Sequence, residues 1–183
     1  MPEDLFRPQL GEPHHCAYVV EDIERTVRRL VDQLGAGPFF LIQKVPVENV
    51  RSRGEPAEFV HNSAFGYCGA GAIELMEVLS LAPERVQKGF SGPRPRVHHI
   101  GYVLPPTEVA DVRSSLDDRG LTEYLSSQLA GGAVDSTLHD ASGTLGHDLE
   151  IHVDGEGLRQ FFGIVRAAAE GWDGSDPLRA APG

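Results

Sequence analysis

The sequence predicts an α+β chain built from two consecutive β-α-β-β-β units. Three observations predict it. The run HHCAYVV at 14–20 returns as HHIGYVL at 98–104, matching at both His, at Tyr and at Val. An amphipathic stretch follows each copy. Three short strand-like runs, bounded by Gly and Pro, follow each amphipathic stretch. Self-similarity of this kind, at a fixed offset along the chain, marks a repeated architecture.

In the first half, His14–Val20 reads as a strand. Ile23, Val27, Leu30, Val31 and Leu34 then recur at i, i+4, i+7, i+8 and i+11, one face of a helix. Asp22 is placed to cap its start and Gly35 to stop it. Strands are expected at Pro38–Val45, Glu58–Tyr67 and Ala72–Leu79, separated by Gly69 and Gly71. The polar stretch Pro46–Pro56 reads as a long loop, a length that is often functional in compact domains. Ser80–Arg96, with Pro83, Gly92, Pro93 and Pro95, reads as an unstructured linker that lets the halves pair within one chain or across two. The second half repeats the order: the strand from His98, a helix with Val109, Val112 and Leu116 capped by Thr107 and ended by Gly120, then strands at Leu121–Leu129, Gly132–His139 and Asp148–Val153. A last helix is expected over Glu156–Glu170 and a mobile tail from Asp173. The organisation is therefore a first module at 12–80, a second at 96–154 and a terminal helix at 155–172, together one domain.

Composition bounds the function. The chain has 183 residues, 40% hydrophobic and 23% charged, as soluble globular domains do. Its formal net charge is −11, which repels phosphate backbones and anionic lipid and argues against nucleic-acid or membrane-surface binding. No apolar run reaches the ~18–20 residues of a membrane span. The acidic, proline-containing N-terminal stretch does not read as a secretory signal. Cys16 and Cys68 are too few for a disulfide framework, nothing marks either as a nucleophile, and both read as small buried apolar residues. A reducing cytoplasm is the expected location.

Two acidic residues sit inside apolar strands: Glu74 in IELMEV and Glu150 in LEI. A buried carboxylate without a partner is costly and usually finds a proton, a cation or a metal. With the histidines that begin each half, they form a set of two imidazoles and two carboxylates. His14 or His15, His98 or His99, and Glu74 or Glu77 are the choices; Glu150 stands alone. Alternation along a strand decides among them. His15 and His99 share faces with Ala17 and Gly101, whereas His14 and His98 share theirs with Tyr18 and Tyr102. Glu74 is flanked like Glu150, while Glu77 lies nearer a strand end. His15, Glu74, His99 and Glu150 are the predicted metal ligands. The set suits one divalent Zn, Ni, Co, Mn or Fe ion and is too nitrogen-rich for Ca²⁺. Two neutral His, two Glu⁻ and one divalent ion sum to zero. That suits stabilisation of an oxyanion beside a carbonyl, with Glu74 or Glu150 moving the proton.

The residues HHCAYVVEDIERTV with LGAGPF, IELMEV, HHIGYV and LGHDLEIHV resemble the vicinal oxygen chelate superfamily, over about residues 12–153. That superfamily includes glyoxalase I, methylmalonyl-CoA epimerase, extradiol dioxygenases and bleomycin-resistance proteins. The resemblance implies paired βαβββ modules forming an incomplete barrel around a metal cleft. It is nearest to the glyoxalase and epimerase branch, whose ligands fall at His15, Glu74, His99 and Glu150. It implies an isomerase, epimerase or lyase acting next to a carbonyl on a small molecule, in a monomer or homodimer. The extradiol branch, with Fe(II), uses only His15, His99 and Glu150. A resistance-type protein would bind its ligand without catalysis.

Several further residues bear on the site. His152 and Asp148 share parity with Glu150, and either borders the cleft or lies at the strand end. His61 and His139 lie in predicted strands. Met76 is expected on the pocket wall. Phe39, Phe40, Phe65, Phe161 and Phe162 read as core or pocket lining. Arg51 and Arg53 are the cations of the 46–56 loop, and solvated surface charge is the simpler reading of both.

Overall fold

A computed structural model describes residues 10–182. In chain order the elements are β1 (His15–Val19), α1 (Ile23–Leu34), β2 (Phe39–Ile42), β3 (Glu48–Ser52), β4 (Glu55–Pro56), β5 (Glu58–Cys68), β6 (Gly71–Ala82), α2 (Glu84–Gly89) and β7 (Arg96–Leu104). There follow α3 (Val109–Asp118), β8 (Glu123–Leu129), β9 (Val134–His139), α4 (Ser142–Leu145), β10 (Asp148–Val153), α5 (Glu156–Ala169) and β11 (Leu178–Ala180). No helix among them is long and apolar enough to cross a membrane.

One sheet runs β11-β2-β5-β6-β1-β7-β10-β9-β8-β3-β4. Its centre carries the repeat. The four strands β2-β5-β6-β1 come from the first half and β7-β10-β9-β8 from the second, in mirrored order. The halves join where β1 and β7 pair antiparallel, with His15 opposite Gly101 and Ala17 opposite His99. Each of these strands pairs in parallel with the last strand of its own half, β1 with β6 and β7 with β10. Parallel neighbours need a crossover, and the helix of each module supplies part of it. The outer strands β11 and β4 are not paired to each other, so the sheet curls without closing, as an incomplete barrel does.

Local chemistry explains the helices. Asp22 accepts a 2.8 Å bond from the Arg25 amide. Gly35 adopts the left-handed conformation (φ 62°) that ends α1. Ile23 and Val27 then pack with Val20, Phe39, Ala64 and Leu75 on the outside of the first half. In the second half Val109, Val112 and Leu116 pack with Leu104, Leu149 and Ile151. Thr107 is not the cap of α3. That position falls to Glu108, whose backbone is already helical and whose side chain makes no capping bond.

Three stretches differ from what the sequence predicts. Residues 80–96 are not an unstructured linker. The strand β6 runs on to Ala82, and α2 buries Val86, followed by Phe90, against Phe59 and Tyr124 on the inner face of the sheet. A six-residue helix surrounded by Pro and Gly is too short to show a period. Residues 48–56 are a hairpin, and only 46–47 of the expected loop remain irregular. Arg53 and Gly54 both take positive φ, 52° and 82°, as a two-residue type I′ connection requires. The strand β3 then adds to the edge strand β8 of the other half. Its polar composition is that of an exposed edge. The tail from Asp173 is fixed: β11 pairs with β2, and the Trp172 indole donates to the Ser175 carbonyl at 2.6 Å. The short helix α4 has no counterpart in the sequence pattern.

Candidate metal centre

Each of the four central strands contributes one side chain to a common point: Glu74 from β6, His15 from β1, His99 from β7 and Glu150 from β10. The pairing makes this unavoidable. Glu74 is the lateral neighbour of Ala17, and Glu150 that of Gly101. Since Ala17 and Gly101 face His99 and His15 across the β1–β7 seam, all four side chains emerge on one face. Gly101 has a specific reason. A Cβ there would collide with the imidazole of His15.

One ligand atom from each of the four lies within 4.8 Å of the others. His15 Nε2 is 3.5 Å from Glu74 Oε2 and 3.4 Å from Glu150 Oε2. His99 Nε2 is 3.6 Å from Glu74 Oε2 and 3.0 Å from Glu150 Oε2. The two Nε2 atoms are 3.3 Å apart. Four donors about 2.0–2.2 Å from a shared centre in a tetrahedral array stand about 3.3–3.6 Å from one another. The donor types and their spacing therefore fit one divalent ion.

Electrostatics agree with the geometry. Burial disfavours charge on all four. For His15 and His99 the two carboxylates outweigh it and raise the imidazoles, His99 to about 10. Glu74 is driven below the usual carboxylate range: burial opposes this, but hydrogen bonds from His15 and His99 overcome it. Glu150 is driven well below, burial being overcome by His152 and His99. Without a metal the two carboxylates are thus balanced by protons on His15 and His99, and a divalent ion would bind by displacing those protons.

A second layer orients the ligands. His14 Nδ1 lies 3.2 Å from His15 Nδ1, and His98 Nδ1 lies 2.9 Å from His99 Nδ1. The doubled histidine of each repeat is thus one inward imidazole and one that holds its Nδ1, leaving Nε2 for the centre. Burial, followed by the positive His99, keeps His98 neutral; burial and then His15 lower His14 to about 4. Ser63 Oγ donates to Glu74 Oε1 at 2.6 Å, and His152 Nε2 sits 2.8 Å from Glu150 Oε2. Behind His98, the Tyr124 hydroxyl is 3.4 Å from His98 Nε2 and donates to Asp148 Oδ2 at 2.8 Å. Burial, then Asp148, raises the Tyr124 phenol, and burial raises Asp148.

The cluster lies on the wall of a cavity of about 460 Å³. His61, Met76 and His152 line it, as do Phe65, Phe161 and Phe162; Phe39 and Phe40 are core. Asp148 and His139 do not line it. His139 is buried and bonded to the Leu121 carbonyl at 2.9 Å. Glu77 is half-buried and accepts from Asn62 at 2.7 Å. Cys16 and Cys68 are half-buried free thiols, more open than the sequence predicts. Arg51 and Arg53 are exposed, Arg51 donating to Gly54 in its own hairpin. The sequence does not single out Ser63 or Tyr124. Ser63 is recoverable by parity with His61 and Phe65; nothing local marks Tyr124.

Comparison with known proteins gives the same frame. Among solved structures, the methylmalonyl-CoA epimerase from Mycobacterium tuberculosis matches at 14% identity over 86% of this chain and 97% of that one, with TM-score 0.52. A hypothetical protein from Bacillus halodurans matches at 19% over 79% and 95%, also with TM-score 0.52. At these identities the likeness is one of fold. No curated protein matches the sequence. The model of the glyoxalase/bleomycin resistance/dioxygenase superfamily matches residues 14–137, a span that holds both doubled histidines and Glu74, and the chain is a member of that superfamily.

Proposed function

We propose that the protein is a metal-dependent isomerase, epimerase or lyase that moves a proton at a carbon next to a substrate carbonyl. The observation that carries the reading is the convergence of His15, Glu74, His99 and Glu150 within 4.8 Å on the wall of an apolar cavity. A divalent ion held by the four supplies a Lewis acid for a substrate oxygen that gains negative charge. The rest falls to the side chains. His14 and His98 fix the rings of His15 and His99 through their Nδ1 atoms. Ser63, a hydroxyl with no proton acceptor beyond it, pins one oxygen of Glu74, and Glu74 is assigned the holding role, whereas the partner of Glu150 is an imidazole able to pass a proton on. Glu150 takes the proton: the C–H bond breaks, an O–H bond forms at a carboxylate oxygen, and the proton returns to carbon. His152, 2.8 Å from Glu150, gives that proton a route onward. The surrounding Met76, Phe65 and Phe162 exclude water.

The test is proton exchange. Zinc- or nickel-loaded protein is incubated in deuterated buffer with benzoin, a neutral hydroxy-ketone, and deuterium at the carbinol carbon is followed by proton NMR. Exchange above the buffer rate, lost in Glu150→Gln assayed at a metal concentration high enough to restore its full metal content, is the expected result. Full exchange in Glu150→Gln rules out its role as base. Oxygen uptake with a catechol and ferrous ion, in place of exchange, replaces the proposal with the dioxygenase reading. A tightly held organic ligand without stoichiometric metal replaces it with the binding-protein reading.

A further inference from the structure

We propose that the cavity takes an uncharged, mainly apolar carbonyl compound of about 15–20 non-hydrogen atoms and rejects acyl-CoA and other anionic substrates. The inference deepens the preceding reading and rests on it for placing the carbonyl at His15, Glu74, His99 and Glu150.

Size comes first. The cavity holds about 460 Å³. It falls within the range of pockets that enclose a whole small molecule. Charge comes second. Among the described residues, those lining the cavity include no Lys or Arg, and the only acidic ones are Glu74 and Glu150. A CoA ester would bring several phosphate charges to a chain of net charge −11. Of the arginines in and beside the hairpin, Arg51 donates to Gly54 and Arg85 to the hydroxyl and carbonyl of Ser52 at 2.9 Å each, while Arg53 is exposed and does not line the cavity.

Hydrophobicity comes third, and α5 shows it most clearly. One face of this helix, Leu158, Phe162 and Val165, packs into the core. Gly157, Gln160, Phe161 and Ile164, at i, i+3, i+4 and i+7, form an adjacent stripe along the cavity. Ile164 remains 47% exposed, an apolar side chain with no core to join. Val45, Leu129 and Val134 add further apolar lining. Polar anchors are few. His61 is 5% exposed, kept neutral by burial, and its Nδ1 lacks a hydrogen-bond partner. His152 Nδ1 is likewise buried without a partner, so an apolar body with one carbonyl end and one or two further polar groups matches this lining.

The experiment is calorimetric titration of the zinc-loaded and metal-stripped full chain with benzoin, benzoylformate and methylmalonyl-CoA. Val134→Arg and Phe161→Glu, two lining residues from different elements, are titrated alongside after circular dichroism shows each folded. Saturable 1:1 binding of benzoin, weaker by about tenfold or more in each folded variant, with no binding of methylmalonyl-CoA and benzoylformate about tenfold or more weaker, is the expected result. Benzoylformate or methylmalonyl-CoA bound as tightly as benzoin overturns the proposal, as does absent benzoin binding or unchanged affinity in both variants. Zinc affinity is measured separately on the same samples. Benzoin binding without zinc binding sinks the metal reading and leaves the cavity inference standing.

Discussion

Replacing Gly101 by Ala adds one methyl group where the fold leaves none to spare. The new Cβ would stand 2.5 Å from His15 Nδ1 and 2.8 Å from its Nε2, against an ordinary contact of 3.4 Å or more. With His15 Cε1 closer still, the ring must withdraw by more than about 0.9 Å, several times the ~0.2 Å tolerance of a metal–ligand distance. Zinc affinity is expected to fall by about 10- to 100-fold, and stability by about 1–3 kcal/mol from overpacking. The repeat supplies the control. Ala17, the counterpart of Gly101, stands opposite His99 and its methyl is accommodated, so Ala17→Gly leaves zinc affinity within a few-fold of wild type. Calorimetric zinc titration and urea unfolding read both quantities. Unchanged zinc affinity in a folded Gly101→Ala protein would refute the claim that this glycine exists to seat His15.

Two further predictions concern buried polar groups. Tyr124→Phe leaves Asp148, only 4% exposed, without its hydroxyl donor. It is expected to cost about 1–3 kcal/mol in urea unfolding; a change below about 0.5 kcal/mol contradicts the relay behind His98. Burial holds His61 below its ordinary value, so the unfolded chain binds the proton more readily. Its contribution to stability is complete above about pH 6.5 and is lost as pH falls from there through its folded value. His61→Phe keeps the stack on Phe59, where the ring centroids are 3.9 Å apart. It should flatten the fall in unfolding free energy below about pH 6.5 by up to ~1.4 kcal/mol per pH unit. Parallel pH profiles would contradict it.

Much of the site was legible because the repeat and strand parity are both local in sequence. The doubled histidines announced two equivalent strands, and the neighbours Ala17 and Gly101 picked out His15 and His99. Glu74 and Glu150 stood out as charges inside apolar runs. What lay hidden depends on tertiary contact. The strand β3 pairs with β8, a strand of the other half, and its polar outer face gives no alternation to read. Val86 and Phe90 plug the inner core from a six-residue helix and its C-terminal end, set among prolines. The tail holds by three pairings of β11 with β2, too short a run to signal a strand. Tyr124 reaches His98 only through the curl of the sheet.

Zinc titration of wild type beside His15→Ala, Glu74→Gln, His99→Ala, Glu150→Gln and the remote His139→Ala tests the central claim most directly. The account predicts one ion per chain in wild type and His139→Ala, and weakening by about tenfold or more in each of the other four. Absence of a stoichiometric ion, or an affinity indifferent to those four substitutions, would contradict it.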